Sequence, residues 1–250
     1  MTTVSTIPII CPKCKEKFKS TVVFSFGCAR RTTDLRPIYW GFNPMPLWVA
    51  RCPFCSFADF VNGFENVPYP DPESLEDYRE LPEQRKKELK DLKKSTVTNG
   101  ASELFEIAER YEKEGQPPEK IVTIFKEAID AIRMSGVSPS PFTFPPTIKT
   151  PTNEMDAECA RKHAHAFESS SDPDHIVFAY IAAEHYRLAA KFDLAKKWYQ
   201  IYKDAIKHME KPPVPLELVN LVENEVIKGN SDELLIEENE ARIFVKGFNI

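Results

Sequence analysis

Two patterns of apolar residues divide the chain. Up to about residue 66 they come in short runs or loose alternation, rich in β-branched and aromatic side chains. That pattern predicts strands at Thr3–Ile10, Phe18–Phe26, Ile38–Trp40 and Leu47–Ala50. Arg30–Asp34 reads as a turn, and Gly41–Pro46, with one glycine and two prolines, as an irregular loop. Tyr39, Trp40, Phe42, Trp48, Phe54, Phe57, Phe60 and Phe64 are dense enough to form the core of a small domain. That reading is preferred to an exposed platform for bases. Cys28 is expected as a small buried core residue.

Beyond residue 66 the apolar spacing becomes helical. The proline-rich stretch Asn66–Pro72 marks the boundary. Ser74–Lys94 is charged with sparse apolar residues, so it predicts exposed helices, and Arg85-Lys86-Lys87 reads as a solvated face. Asn99 is a plausible cap for a helix over Ala101–Lys113, ended by Gly115. Pro117-Pro118 starts another helix to Met134. Further helices are expected at Asp156–Phe167, on both sides of Ala190, and at Leu216–Lys228. Ala108, Tyr111, Gly115, Ile121, Phe125 and Ala128 follow the small/large pattern of a tetratricopeptide repeat with one residue inserted. Ala183, Tyr186, Ala190, Phe192, Ala195 and Tyr199 follow it without insertion. Small residues let antiparallel helices approach, and large ones fill the crossing. On that geometry Tyr180, Glu184 and Arg187 line a groove for a partner segment in the second unit, and Phe105, Glu109 and Glu112 in the first. Residues 135–153 hold five prolines and form a surface excursion, and Ala241–Val245 is expected to pair with the edge of the N-terminal sheet. The fold class is α+β: a small β domain over 1–66 and a helical domain over 67–250.

The cysteines supply the chemistry. Cys11-Pro-Lys-Cys14 and Cys52-Pro-Phe-Cys55 are two copies of one C-P-x-C turn. Each turn presents two thiolates on one side of a tight loop, and two turns complete the four-sulfur shell of a closed zinc site. Cys11, Cys14, Cys52 and Cys55 are therefore the expected ligands of one Zn²⁺. Iron is the alternative, because rubredoxin-like sites use the same turns. A thiol redox role for Cys52/Cys55 leaves Cys11 and Cys14 without a task. A disulfide framework is disfavoured because Met1–Thr6 does not open a leader-like apolar run, so a cytoplasmic protein is expected. Cys159 and His163 share a helix face, but no further ligand is visible for a second metal, and His185 reads as a packed histidine.

These residues resemble the prokaryotic family known as domain of unknown function 2225. The resemblance rests on Cys11/Cys14, Asp34, Tyr39, Gly41-Phe42-Asn43-Pro44, Leu47-Trp48-Val49, Cys52/Cys55, Ala58 and Phe64. It covers residues 10–65 closely. Lys15 and Ser56 stand where the family usually has glycine. The resemblance implies a zinc-ribbon-like head followed by tetratricopeptide-like helices, and no known reaction.

Charge sharpens the functional expectation. The first 66 residues carry eight Lys/Arg against four Asp/Glu, and the remainder 25 against 34. No stretch is apolar and long enough for a membrane span. There is no glycine-rich phosphate loop, G-x-S-x-G or H-E-x-x-H motif, and only eight glycines. The expectation is a non-enzymatic adaptor or scaffold that binds a protein through its helical groove. The alternative is nucleic-acid or ribonucleoprotein binding through Lys13, Lys15, Lys17, Lys19, Arg30 and Arg31. A thiol or iron redox protein is the third reading.

Overall fold

A computed structural model describes residues 3–40, 42–65, 92–96, 98, 100–134, 153–170 and 172–236. Among them are three antiparallel strand pairs followed by six helices, an α+β arrangement. β1 (Thr3–Ile10) pairs with β2 (Lys17–Ser25), β3 (Cys28–Arg31) with β4 (Pro37–Tyr39), and β5 (Val49–Arg51) with β6 (Ala58–Phe60). The helices are α1 (Ala101–Lys113), α2 (Pro118–Met134), α3 (Asn153–Ser169), α4 (Ile176–Leu188), α5 (Phe192–Ile206) and α6 (Leu216–Ile227). Consecutive helices pack on one another. The helix joints close in the same way before Gly115 and Gly229, whose φ is positive, and before Ala190, which takes φ 56° without being glycine. Lys191 N–H donates to Tyr186 O at 2.8 Å there, satisfying a carbonyl of the helix end.

The pattern-based expectations hold for β1, β2, α1 and α2 to within a residue or two. Leu47–Ala50 differs. Met45–Leu47 is a turn of 3₁₀ helix, with Pro46 fitting its first positions, and the strand starts at Val49. Cys28 is exposed, because β3 is a two-sided ribbon and its Cys28/Arg30 side faces water. Asn99, residues 135–152 and Ala241–Val245 lie outside the described residues. Asn153 begins α3 and so leaves the proline-rich segment. The expected boundary at 66/67 also falls outside them.

Among the described residues three cores form. Ile7, Ile9, Phe18, Val22, Val61 and Phe64 pack with Cys11 and Cys52 inside the head. Met45 and Val49 pack with Leu104, Ile107, Ile124 and Ala128 of α1 and α2. Gly100 permits this contact: at φ 84° a side chain is strained, and a Cβ there would lie 3.2 Å from the Pro46 backbone. Among the described residues, Leu35 carries the head into the third core, among residues of α2 to α6 and Ile236. The two ends of the described chain thus share interiors.

The turn Thr32–Arg36 between β3 and β4 is buried throughout. Residues 234–236 run along its strand: Thr33 N–H donates to Leu234 O, and Ile236 N–H to Arg31 O, both at 2.9 Å. Asp34 meets Arg133 at 3.3 Å and Lys126 at 4.0 Å. Burial acts to raise its carboxyl, but Lys126, Arg133 and Arg36 outweigh it and hold the group well below the usual carboxylate range. Arg133 also binds Asp156 at 2.5 Å, and Asp156 accepts from or pairs with His185 Nδ1 at 2.8 Å.

The second-unit groove is corrected by this arrangement. Tyr180, Glu184 and Arg187 are fully buried rather than lining an open groove. Arg187 forms a two-pronged pair with Glu184 at 3.0 Å on each prong and donates to the carbonyls of Asn230 and Asp232. Thr33 Oγ1 donates to Glu184 at 2.5 Å, Tyr199 also donates to Glu184, and Tyr180 donates to Thr33 O at 2.7 Å. The physical reason is cover: α3 and α5 flank α4, and the Thr32–Arg36 turn with residues 230–236 closes the side that a free repeat would leave open.

Removing one partner from this network strands a buried charge. Arg187→Ala is expected to lower unfolding stability by about 3–5 kcal/mol, read from urea denaturation; an unchanged midpoint would show that Glu184 needs no cation. A second expectation concerns Glu127. Burial pushes it up to about 7, with Asp130 adding and Lys126 opposing, from an ordinary 4.5. Its folded value exceeds its unfolded one, so stability is lost as pH rises through that interval. Glu127→Gln should raise the melting temperature at about pH 8 and leave it unaltered near pH 4; an equal shift at both pH values would contradict this.

Candidate metal centre

The first cysteine turn connects β1 to β2, and the second connects β5 to β6. The two are built alike. Lys15 N–H donates to Cys11 O and Ser56 N–H to Cys52 O, each at 2.9 Å. Cys11 N–H donates to Glu16 O at 3.0 Å and Cys52 N–H to Phe57 O at 2.8 Å. The turns need a left-handed residue after the second cysteine. Lys15 (φ 63°) and Ser56 (φ 60°) adopt that conformation although neither is glycine.

The turns face each other. Cys11 Sγ lies 3.7 Å from Cys55 Sγ, and Cys14 Sγ 3.6 Å from Cys52 Sγ. All four sulfurs fall within 4.8 Å of one another. Sulfurs arranged tetrahedrally at about 2.3 Å from one ion stand about 3.8 Å apart, so the four sulfurs fit a single metal ion. Cys11 and Cys52 are buried while Cys14 and Cys55 are half-buried. As thiols they are unequal. Burial raises Cys11 and pushes Cys52 up to about 12, while the Phe57 N–H brings Cys55 down to about 7. An ion that takes all four must displace protons from the buried pair.

Two arginines tie this centre to α1, and neither was singled out from the sequence. Arg51, beside Cys52, binds Glu103 at 3.0 Å and spans both oxygens of Glu106 at 2.8 and 3.0 Å. It also donates to Ser56 O inside the second turn at 3.1 Å. Arg110 binds Asp59 at 2.7 Å and donates to Ala58 O at 2.8 Å. The adjacency of Arg51 to Cys52 was the one available signal; its acidic partners lie about fifty residues on.

The first-unit groove residues separate. Phe105 is half-buried, edge-on to Phe125. Glu112 holds Lys162 at 2.9 Å. Glu109 stays exposed and, with Glu106, Arg110 and Lys113, faces Ser56–Ala58 across a cleft of about 320 Å³. The structure therefore joins one predicted groove residue to the metal turn, by a contact that repeat periodicity does not contain.

Cys159 and His163 do share a face, at 3.5 Å, beside His185. Burial pushes the Cys159 thiol far up and His163 down to about 3, so this pair stays an uncharged, packed one at neutral pH. Among the described residues only the Cys11/Cys14/Cys52/Cys55 group gathers ligands for a metal. No helix among them is long and apolar enough to cross a membrane.

Residues 7–113 match a protein-family model described as an uncharacterized protein conserved in bacteria (DUF2225). No curated protein and no solved structure matches the chain. The matched span takes in both cysteine turns and ends with the last residue of α1. Head and first helix are thus covered as one stretch, in keeping with the Arg51 and Arg110 bridges.

Cys52→Ser should abolish stoichiometric metal binding and expose residues 3–65 to proteolysis, because metal binding energy stabilises so small a core. Limited proteolysis with metal analysis reads both. Wild-type resistance in a metal-free variant would show that the packing alone holds the head.

Proposed function

We infer that the protein is a non-enzymatic, zinc-centred adaptor. The reading divides it into a zinc-ribbon-like head over 1–66 and a tetratricopeptide-like helical body over 67–250. A protein partner is held at the junction of the head with α1. The observation that carries this reading is the cleft between Ser56–Ala58 and Glu106–Lys113. One wall belongs to a cysteine turn and the other to a helix. Glu109 and Lys113 stand 70% and 79% exposed there, so neither is spent on internal packing. Phe57 is partly exposed beside them, with Arg110 over its ring. A partner segment with one apolar side chain and flanking charges suits such a surface.

The metal is structural in this reading. Four protein sulfurs fill a tetrahedral shell and leave no position for a substrate or an activated water. Zinc, which has no redox chemistry of its own, suits a centre whose task is to fix two turns. The repeat-like character of the body is supported by Ala108, Ala128, Ala183 and Ala195, all buried where helices pack in pairs.

The test is capture by the immobilised full-length protein, with the metal content determined on the same sample. One zinc per chain is expected, and Glu109→Lys combined with Lys113→Glu should lose the captured protein while keeping zinc and helicity. Iron as the main metal overturns the zinc assignment. Unchanged capture by the double variant overturns the cleft as the partner surface.

A further inference from the structure

A cavity of about 460 Å³ lies where the head, α2 and the start of α4 meet. From α2 it takes Lys120, Thr123, Ile124 and Glu127, which are three or four residues apart and share one helix face. Phe60 reaches it from the end of β6, and Phe178 from the first turn of α4. His175, just ahead of α4, stacks on Phe178 with ring centres 5.0 Å apart, and its Nδ1 is bonded to Ser170 Oγ. Phe60, Phe178 and Ile124 give an apolar lining, and the polar groups among them are few. A volume of this size with that lining is what a small-molecule site requires. The metal turns and the cleft beside them lie elsewhere on the head.

We propose that this cavity binds a small organic cation, an amine with an apolar body whose ammonium pairs with Glu127. The charges around the cavity decide the sign. Glu119 joins Glu127 in the lining, and Asp130 stands three residues beyond Glu127 on the same helix face. The nearby lysines are engaged elsewhere. Lys126 pairs with Asp130 Oδ2 at 2.7 Å and reaches Asp34 at 4.0 Å. Lys120 turns its Nζ to the Tyr111 ring, 4.4 Å from the centre, and to Gln116 at 3.5 Å. Among the described residues nothing donates a hydrogen bond to Glu127, and Asp130 Oδ1 is buried without a partner. Burial and Asp130 together push Glu127 up to about 7. An ammonium supplies the missing charge and donors, and the rings of Phe60 and Phe178 attract the same cation. An anion of equal shape would meet Glu119 and Glu127 instead. The other titratable groups near Glu127 are Tyr39 from β4 and His175. Burial and Asp130 push the Tyr39 hydroxyl up, so it stays neutral. The amine needs the carboxylate form, so its affinity rises as pH passes upward through the Glu127 value.

The test is calorimetric titration of the full-length metal-loaded protein with phenethylamine, whose amine stays charged over the range used. The neutral isostere 2-phenylethanol and the anion phenylacetate serve as comparisons. Saturable binding of the amine is expected at about millimolar concentration or below, with both comparisons at least tenfold weaker. Affinity should rise about tenfold from about pH 6 to about pH 8, one unit either side of the Glu127 value. Glu127→Gln keeps the size of the side chain and should lower affinity at about pH 8 by about tenfold or more. His175→Asn should keep the pH dependence, which tells the carboxyl from the imidazole. Thr123→Trp places a bulky ring in the cavity from an exposed helix position and should block binding with helicity unaltered. The proposal is overturned by absence of saturable binding at about pH 8, by equal affinity for either comparison compound, or by a Glu127→Gln protein that binds as wild type. None of these variants touches Glu109, Lys113 or a cysteine, so this result and that of the capture experiment stand apart.

Discussion

A carboxylate taken out of water must find cations and donors, and Asp34 finds the two cations it pairs with in the helical body. It is 2% exposed, and its cations are Arg133 and Lys126 of α2, with Arg36 adding to the field from its own turn. The turn that carries it also sends Thr33 to Glu184 and Leu35 into the third core. Leu35 takes a positive φ of 66°, a strained conformation for a branched residue, and the surrounding contacts hold it there. A head that merely hung from a linker would need none of this. The position of the metal turns against α1 follows from the same docking, since Arg51 and Arg110 reach their acids only when head and helices are in register.

The sequence carried the local decisions well. Alternation placed β1 and β2, three-and-four spacing placed α1 and α2, and two identical turns gathered four sulfurs. Those features depend on residues within a few positions of one another. Lys15 and Ser56 read as departures from the glycines of such turns, yet both take the left-handed backbone, because a cysteine turn of this type imposes it whatever side chain stands there. What was illegible lay in the covering of one element by another distant in the chain. Helical periodicity says that Tyr180, Glu184 and Arg187 share a neighbourhood. It cannot say that residues 230–236 and a turn some 150 positions earlier close over them. The composition gave a faint hint: two tyrosines, a glutamate, a histidine and an arginine within one mainly apolar helix are what a satisfied buried network also requires. Cys28 failed for the opposite reason. A small apolar residue beside strands reads as core, yet a two-stranded ribbon has a side with nothing packed on it.

Buried ion pairs of this kind bring specificity more than stability. Replacing them by apolar side chains of like shape is often neutral or better. Their presence here, at the one place where head, helices and residues 230–236 converge, suits a requirement for a unique docking angle. An apolar patch tolerates sliding, whereas a two-pronged Arg187–Glu184 pair with Thr33 and two backbone carbonyls accepts only one arrangement.

That fixed angle also sets the cleft inferred for the head. The cleft takes Ser56, Phe57 and Ala58 from the second cysteine turn and its sequel. The four sulfurs that gather the two turns therefore shape one of its walls. Arg51 extends the dependence to the helices, because its guanidinium holds Ser56 O and Glu106 at once. Loss of metal would loosen the turns first, then the α1 wall of the cleft, and last the buried Asp34 and Glu184 networks, which draw on no sulfur. The order follows from which contacts pass through the cysteine turns and which do not. It separates a head whose two turns a metal ion would staple from a junction that is locked by buried charge.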